Sequence, residues 1–445
     1  MEILIKALQL ILSLSVLVII HEFGHFAAAK IFKTKVEKFY LFFNPWFSLF
    51  KFKYGETEYG IGWLPLGGYV KIAGMIDESM DKEQLEKPAE PWEFRSKPAW
   101  QRLIIMLGGV FMNVILAITI YIVMMASYGE EYLPNSAVKY GIQVDSIGQV
   151  LGLQNGDKIL NLDGHEVDDF MKIPAYLILE EVSNIQIDRN GQIIDIPVSA
   201  SFIGDVIAGG KPGFILPRMP IRIAGFAKDS KAKIAGIEKG DWIQGINGKE
   251  VKFFDQFPIF RDSIKANAGN EVLVQVQRDN RVIDFKVDVP EKAMIGISTA
   301  GDLNLDFNLK SRDYSILEAI PAGFNKAIST IDNYLKQLKI LFNPEMKAYK
   351  SVGGFGTIAN IFPATWDWIK FWSLTAFLSI MLAVLNILPI PALDGGHVMF
   401  LLYEIITRRA PSDKFLEYAQ MVGMFLLLGL LVFANGNDIY KFFFK

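Results

Sequence analysis

The chain has 445 residues, 51% of them hydrophobic, a formal net charge of -3 and no cysteine. At about 150 residues per domain the length allows two or three units, and an apolar share above the roughly 45–50% of soluble domains points to the membrane. The lack of cysteine excludes disulfides and leaves His and carboxylate as the ligands for any metal, while the near-balanced charge gives no sign of nucleic acid as a partner.

The first apolar run, Leu4 to Ala29, is long enough for a spanning helix, which needs about 20 residues. It contains His21-Glu22-Phe23-Gly24-His25. On a helix, His21 and His25 lie four positions apart and project from one face, so both imidazoles can converge on a single metal ion. Glu22 sits beside them, where a zinc-bound water would be. In this HExxH arrangement the metal lowers the pKa of its water to about 7, and the carboxylate takes the proton as that water attacks a peptide carbonyl. Ionisable groups inside apolar segments are expensive and usually functional. A cleaved signal peptide is the rival, since Lys6 precedes an apolar stretch and Ala27-Ala28-Ala29 resembles a cleavage site. Cleavage there would discard both histidines, so the run is expected to be retained.

Lys30, Lys33, Lys35 and Lys38 come next, and by the positive-inside rule this side is cytoplasmic and the N-terminus outside. From Phe47 to Ile72, aromatic residues punctuated by glycines predict extended strands. They form either a small sheet close to the bilayer, with its backbone covered by protein or water, or an ordinary cytoplasmic hairpin. Asp77 to Lys97 reads as an exposed loop. A second span runs from Leu103 to Ala126. Gly108 and Gly109 let helices approach closely there, and Asn113 is either a packing device or an active-site hydrogen-bonder.

Between Ser127 and Val289 the sequence is soluble in character and repeats itself. Gly152-Leu153-Gln154-Asn155-Gly156-Asp157-Lys158-Ile159 is matched by Gly236-Ile237-Glu238-Lys239-Gly240-Asp241-Trp242-Ile243, and Gly164-His165-Glu166-Val167 by Gly248-Lys249-Glu250-Val251. Both copies resemble the PDZ domain, with Gly152, Leu153, Gly236 and Ile237 as candidate loop positions. Such domains add an extended peptide to a sheet edge; the alternative is an architectural unit with an empty groove. Ala293 to Arg312 reads as a linker, and Ile316 to Phe342 as an amphipathic helix. With Lys326, Lys336 and Lys339 on its other face, that helix lies on the membrane surface or packs on the soluble domains. A third span, Phe371 to Leu388, ends in Asn386-Ile387-Leu388-Pro389-Ile390-Pro391-Ala392-Leu393-Asp394-Gly395-Gly396. The prolines break the helix, which is tolerated at membrane depth where it lines a cavity. Asp394 is thereby free to turn toward a metal, and His397 competes with it as third ligand. Arg408, Arg409 and Lys414 again obey the positive-inside rule, and a shorter fourth span, Met421 to Ala434, returns the C-terminus outside.

Taken together, the HExxH at His21 to His25, the Gly109 to Asn113 signature and the Asn386 to Gly396 signature resemble the site-2 proteases. The likeness is to the RseP type, with two PDZ domains between the second and third spans. The resemblance implies a polytopic α-helical membrane protein with four transmembrane helices, a membrane-reentrant β-sheet and two inserted PDZ (α+β) domains. Its expected parts are 1–126 with the HExxH and the sheet, 127–208 and 209–292 as the PDZ domains, 293–365 as linker and amphipathic helix, and 366–445 with the last two spans. It implies an intramembrane zinc metalloprotease cutting single-pass membrane proteins, such as anti-sigma factors or remnant signal peptides. Zn2+ would rest on His21, His25 and Asp394, favoured over His397, with Glu22 catalytic. Leu66 to Lys71, with Gly67 and Gly68, would belong to the reentrant sheet on which an unwound substrate pairs, and Asn386, with Asn113, would help position it. Gly353-Gly354-Phe355-Gly356 resembles the family's glycine-rich segment, with Phe355 where a proline is more usual. The expected location is a bacterial inner membrane, with both termini and the PDZ domains, as substrate filters, on the periplasmic side. A non-catalytic membrane adaptor with a structural metal is the competing class, and the intact Glu22 argues against it, because a structural zinc needs a closed shell of four ligands.

Overall fold

Apolar length dictates the first level of structure. Among the residues that the computed structural model describes, 1–75, 88–209, 213–346 and 348–444, four helices are long and apolar enough to cross a membrane. In chain order the helices that matter are α1 (Glu2–Ile31), α2 (Ala99–Tyr128), α3 (Ile316–Leu341), α4 (Trp368–Ile387), α5 (Asp394–Thr407) and α6 (Asp413–Phe444), with α1, α2, α4 and α6 as the candidate spans. The chain divides into two units, one of Met1–Gly129, Asp313–Lys339 and Val352–Lys445, the other of Glu130–Arg312 and Ile340–Ser351.

In the first unit, α4 begins where Asp367 caps it, its carboxylate accepting from the N–H groups of Ile369 and Lys370 at 3.0 and 3.1 Å. It ends at the Leu388-Pro389 break. The fourth span is longer than its sequence suggests: α6 has 32 residues, where Met421 to Ala434 was expected. Polar residues beyond Ala434 stay in the helix because donors from outside it meet them. Asp438 accepts from the N–H groups of Gly354 and Thr357 at 3.0 and 2.9 Å, and Asn435 accepts from Phe355 at 3.2 Å. The glycine-rich segment thus meets α6 through the start of a short helix, Phe355–Ile361.

Strands β1 (Val36–Tyr54) and β2 (Thr57–Ile72) form one antiparallel sheet. β1 begins well before the expected Phe47, because the bend at Asn44-Pro45 interrupts it without ending it; Phe42 and Trp46 take positive φ there. Val36 to Leu41 pair with Ile72 to Gly68, and Ser48 to Tyr54 pair with Gly62 to Thr57. Lys38 to Leu41 also partner Glu58 to Ile61. The first part of β1 therefore lies in the middle of the sheet, and Gly68 to Ile72 lie at its rim. Of the expected loop Asp77 to Lys97, residues 77–87 fall outside the described residues. The end of that stretch is anchored, with Phe94 buried against α1 and α2.

Helix α3 packs on other helices of the first unit. Ala327 and Tyr334 pack against Ala117 and Tyr121 of α2 and Ala376 and Ile380 of α4. Its outward face keeps Ile316, Leu317, Ile320, Phe324 and Ile328 exposed, an apolar stripe suited to lipid rather than water.

The second unit repeats one design. Lys158–Leu162, Asn184–Arg189 and Gln192–Pro197 form an antiparallel meander, and Trp242–Ile246, Glu271–Arg278 and Arg281–Asp288 form its counterpart. Ile142–Val144 pairs with Ile215–Pro217 just as Arg222–Phe226 pairs with Ile297–Ala300. The second partner in each case lies beyond the expected boundary, at 208 or 292, because a later strand supplies the missing edge. The expected linker Ala293 to Arg312 is accordingly folded: besides Ile297–Ala300 it carries Asp306, buried and ion-paired with Arg222 at 2.6 Å. Residues Ile340, Met346 and Ala348 also pack into this unit, against Ile203.

Candidate metal centre

The site begins with a helix crossing that only glycine permits. A Cβ on Gly24 of α1 would stand 2.1 Å from the Gly108 carbonyl oxygen of α2, so the two backbones touch. A Cβ on Gly109 would meet His25 Nε2 at 2.4 Å and His21 Cε1 at 2.6 Å. The glycine pair therefore makes room for both imidazoles, which are 7% exposed each. His25 Nδ1–H donates to the Ile105 carbonyl at 2.8 Å, leaving the Nε2 lone pair free to ligate.

One turn beyond Gly109, Asn113 is fully buried with its amide nitrogen 3.2 Å from His21 Nδ1, and its Oδ1 has no hydrogen-bond donor. Turning the amide over presents Oδ1 to Nδ1–H, the arrangement that frees His21 Nε2. Asn386, near the end of α4, places its amide nitrogen 3.3 Å from His21 Nε2.

Asp394 opens α5 directly after the proline loop. Its Oδ2 lies 3.2 Å from His21 Nε2 and 3.3 Å from His25 Nε2, and the two imidazole nitrogens are 3.2 Å apart. Tetrahedral zinc ligands at about 2.0–2.1 Å stand about 3.3 Å from one another, so this triangle has the size of a zinc face. Asp394 Oδ2 is buried without a hydrogen-bond donor. A cation is the partner such an oxygen lacks. Among the described residues this is the one cluster of three metal-ligating side chains. His397 stands apart from it, with Nε2 2.8 Å from the Gln420 amide nitrogen.

The cluster opens into a cavity of about 470 Å³ whose walls include Glu22, Asp394, His397, Gln420 and the rim of β2 from Gly68 to Ile72. Gly68 backs onto α1, where a Cβ would stand 2.6 Å from Val18 Cγ1, and Gly67 lies against the Phe43 ring. The remaining predicted positions are in the second unit. The Gly152 and Gly236 carbonyls accept from Arg189 and Arg278 at 2.8 and 2.9 Å, and Leu153 and Ile237 are core residues. Gln420, which contacts His397 and the backbone of Ala392, is a site residue that sequence reasoning missed. It stands three residues after Glu417 and just before the apolar run that begins at Met421, so it reads as part of a polar flank and gave no signal like that of Asn113. A metal face with one open side and a carboxylate in the same cavity is equipped for hydrolysis.

Comparison with known proteins agrees with this chemistry. The profile of Peptidase family M50 matches residues 9–430. The Campylobacter jejuni protein named "Putative zinc metalloprotease Cj1068" is 30% identical over 442 residues, 98% of this chain and 94% of its own. The Haemophilus influenzae "Regulator of sigma E protease" is 29% identical over 459 residues, covering 97% and 98% of the two chains. The Caulobacter vibrioides "Metalloprotease MmpA" is 24% identical over 457 residues, covering 99% and 96%. The match along nearly the whole chain, joined to a buried metal-ligating cluster in a chain with four apolar spans, means that the chain belongs to peptidase family M50, as a membrane-embedded site-2-type zinc metalloprotease.

Proposed function

We propose that the protein hydrolyses peptide bonds within transmembrane segments of single-pass membrane proteins, with His21, His25 and Asp394 holding zinc and Glu22 as general base. The observation that carries this is the shared cavity, in which the donor triangle, Glu22 and the rim of β2 face one another. A transmembrane helix hides its peptide bonds in intrahelical hydrogen bonds, so it must be locally unwound before cleavage. The Gly68 to Ile72 rim offers backbone groups that hold such a segment as an added strand. Bound zinc supplies Lewis acidity to the scissile carbonyl and a water of lowered pKa. Glu22 takes the proton of the attacking water and returns it to the leaving amine. Asn113 fixes the His21 ring, and Asn386 lies where it can hold the substrate carbonyl.

The name of the Haemophilus relative favours membrane-bound regulators, anti-sigma factors among them, as substrates. The repeats of the second unit are PDZ domains that stand on the periplasmic face of an inner membrane and exclude substrates still carrying a bulky external domain. The test uses purified protein in detergent and a tagged single-pass substrate, scored for the parent, for Glu22→Gln, and for the parent stripped by a chelator and resupplied with zinc. Cleavage lost in Glu22→Gln and restored by zinc is expected. Equal cleavage by Glu22→Gln would sink the assignment.

A further inference from the structure

Helix α6 supplies none of the three metal-ligating side chains, yet it grips the segment that carries one of them. Gln420 is 9% exposed, and its Oε1 accepts from the Ala392 N–H at 2.7 Å while its amide nitrogen lies 2.8 Å from His397 Nε2. A backbone N–H can only donate, so the amide cannot be turned over. Its NH2 end faces His397, whose Nε2 therefore carries the lone pair and whose Nδ1 carries the proton. Ala392 has φ +76, a left-handed conformation that alanine rarely adopts and that its surroundings must impose. Packing adds to the hydrogen bond: a Cβ on Gly423, one turn along α6, would stand 1.8 Å from the Pro391 carbonyl oxygen, so the helix backbone rests directly on the loop. Asp394 stands between the two residues that Gln420 holds, two positions after Ala392 and three before His397.

We propose that Gln420 is a positioning residue for the zinc centre. It clamps the left-handed loop on one side of Asp394 and the first turn of α5 on the other, so the carboxylate is held at the two imidazoles before a metal arrives. The proposal rests on Asp394 being a ligand. Outer partners of metal ligands typically contribute about 10- to 100-fold to metal affinity.

The experiment measures zinc affinity of the full chain in detergent by chelator competition, and the visible absorption of the cobalt-substituted protein. Gln420→Met removes both hydrogen bonds at similar volume, and Gln420→Asn draws the amide back from Ala392. Both are expected to weaken zinc binding about 10- to 100-fold and to shift the cobalt bands. Gln420→Glu keeps an acceptor for Ala392 and can accept from His397 in its other tautomer, so it should restore most of the affinity. Parental affinity and bands in Gln420→Met overturn the clamp, as does a Gln420→Glu variant no better than Gln420→Met. Should the zinc-free Gln420→Met protein fail to fold, Gln420→Asn decides, and parental affinity there overturns the clamp. Asp394→Ala separates the two assignments. If it binds zinc like the parent, the ligand assignment falls and the clamp with it. If it loses zinc while both Gln420→Met and Gln420→Asn keep parental affinity, the clamp alone falls.

Discussion

Carboxylate oxygens are buried in both units of this chain, and they are treated in opposite ways. In the second unit Asp157 and Asp241 are 1% and 2% exposed, and each is gripped by one arginine in the same fork. Arg189 reaches Asp157 at 2.8 and 2.7 Å, and Arg278 reaches Asp241 at 2.8 and 2.7 Å. A backbone N–H, of Gln154 or Glu238, takes a further lone pair in each. The paired carboxylate in turn holds each guanidinium above its usual pKa. Asp394, in the first unit, meets two imidazole nitrogens and has an oxygen with no donor. A carboxylate with donors on both of its oxygens closes a loop and is finished. One left wanting a cation holds a place for chemistry.

The largest effects should come from the unfinished carboxylate. Asp394→Ala or His25→Ala is expected to abolish zinc binding and reduce cleavage to background, measured by metal content and by cleavage of a single-pass substrate. Glu22→Gln should keep its zinc and cleave about 10²–10⁴-fold more slowly, the range of a lost general base. Parental cleavage by either kind of variant would erase the distinction drawn between the two kinds of carboxylate. Next in size stands Gly109→Val, whose side chain occupies the space of both imidazoles. It should lose zinc although it replaces none of the three donor residues, and a fully loaded Gly109→Val protein would show that the crossing can open without disturbing the triangle.

The same contrast explains how much of the protein was legible from sequence. His21, Glu22 and His25 are legible because helix geometry brings residues four apart together without help from the rest of the chain. The clasp of the second unit is half legible. The Gly-Asp repeat shows twice in the sequence, but its partners Arg189 and Arg278 are set by strand register, which no spacing reveals. Asp394 stands out through its prolines and glycines, yet the contact that His397 makes with Gln420 comes from far along the chain. Which helix face meets which neighbour is a property of packing. The start of β1 was hidden for another reason: Asn44-Pro45 carries the signature of a turn, and here it is a bend inside a strand. The end of α6 was hidden because Asn435 and Asp438 look like solvated residues until Gly354, Phe355 and Thr357 are seen to donate to them.

The finished carboxylates should yield smaller effects, confined to their own unit. Arg278→Met leaves the Asp241 charge buried without its fork, which typically costs about 3–5 kcal/mol when one partner of a buried pair is removed. Hydrogen exchange of Ile243, Val274 and Val276, core residues of the same sheet, reads that loss locally, so it does not require the whole chain to unfold in one step. Zinc content should stay at the parental level. Replacing both partners, Asp241→Leu with Arg278→Met, should recover most of the protection, because neither charge is then buried. About 1 kcal/mol should remain lost, since the Glu238 N–H no longer has its acceptor. A double variant as unprotected as the single one would mean that the clasp does more than satisfy itself, and that the second unit's carboxylates are less different from Asp394 than their geometry implies.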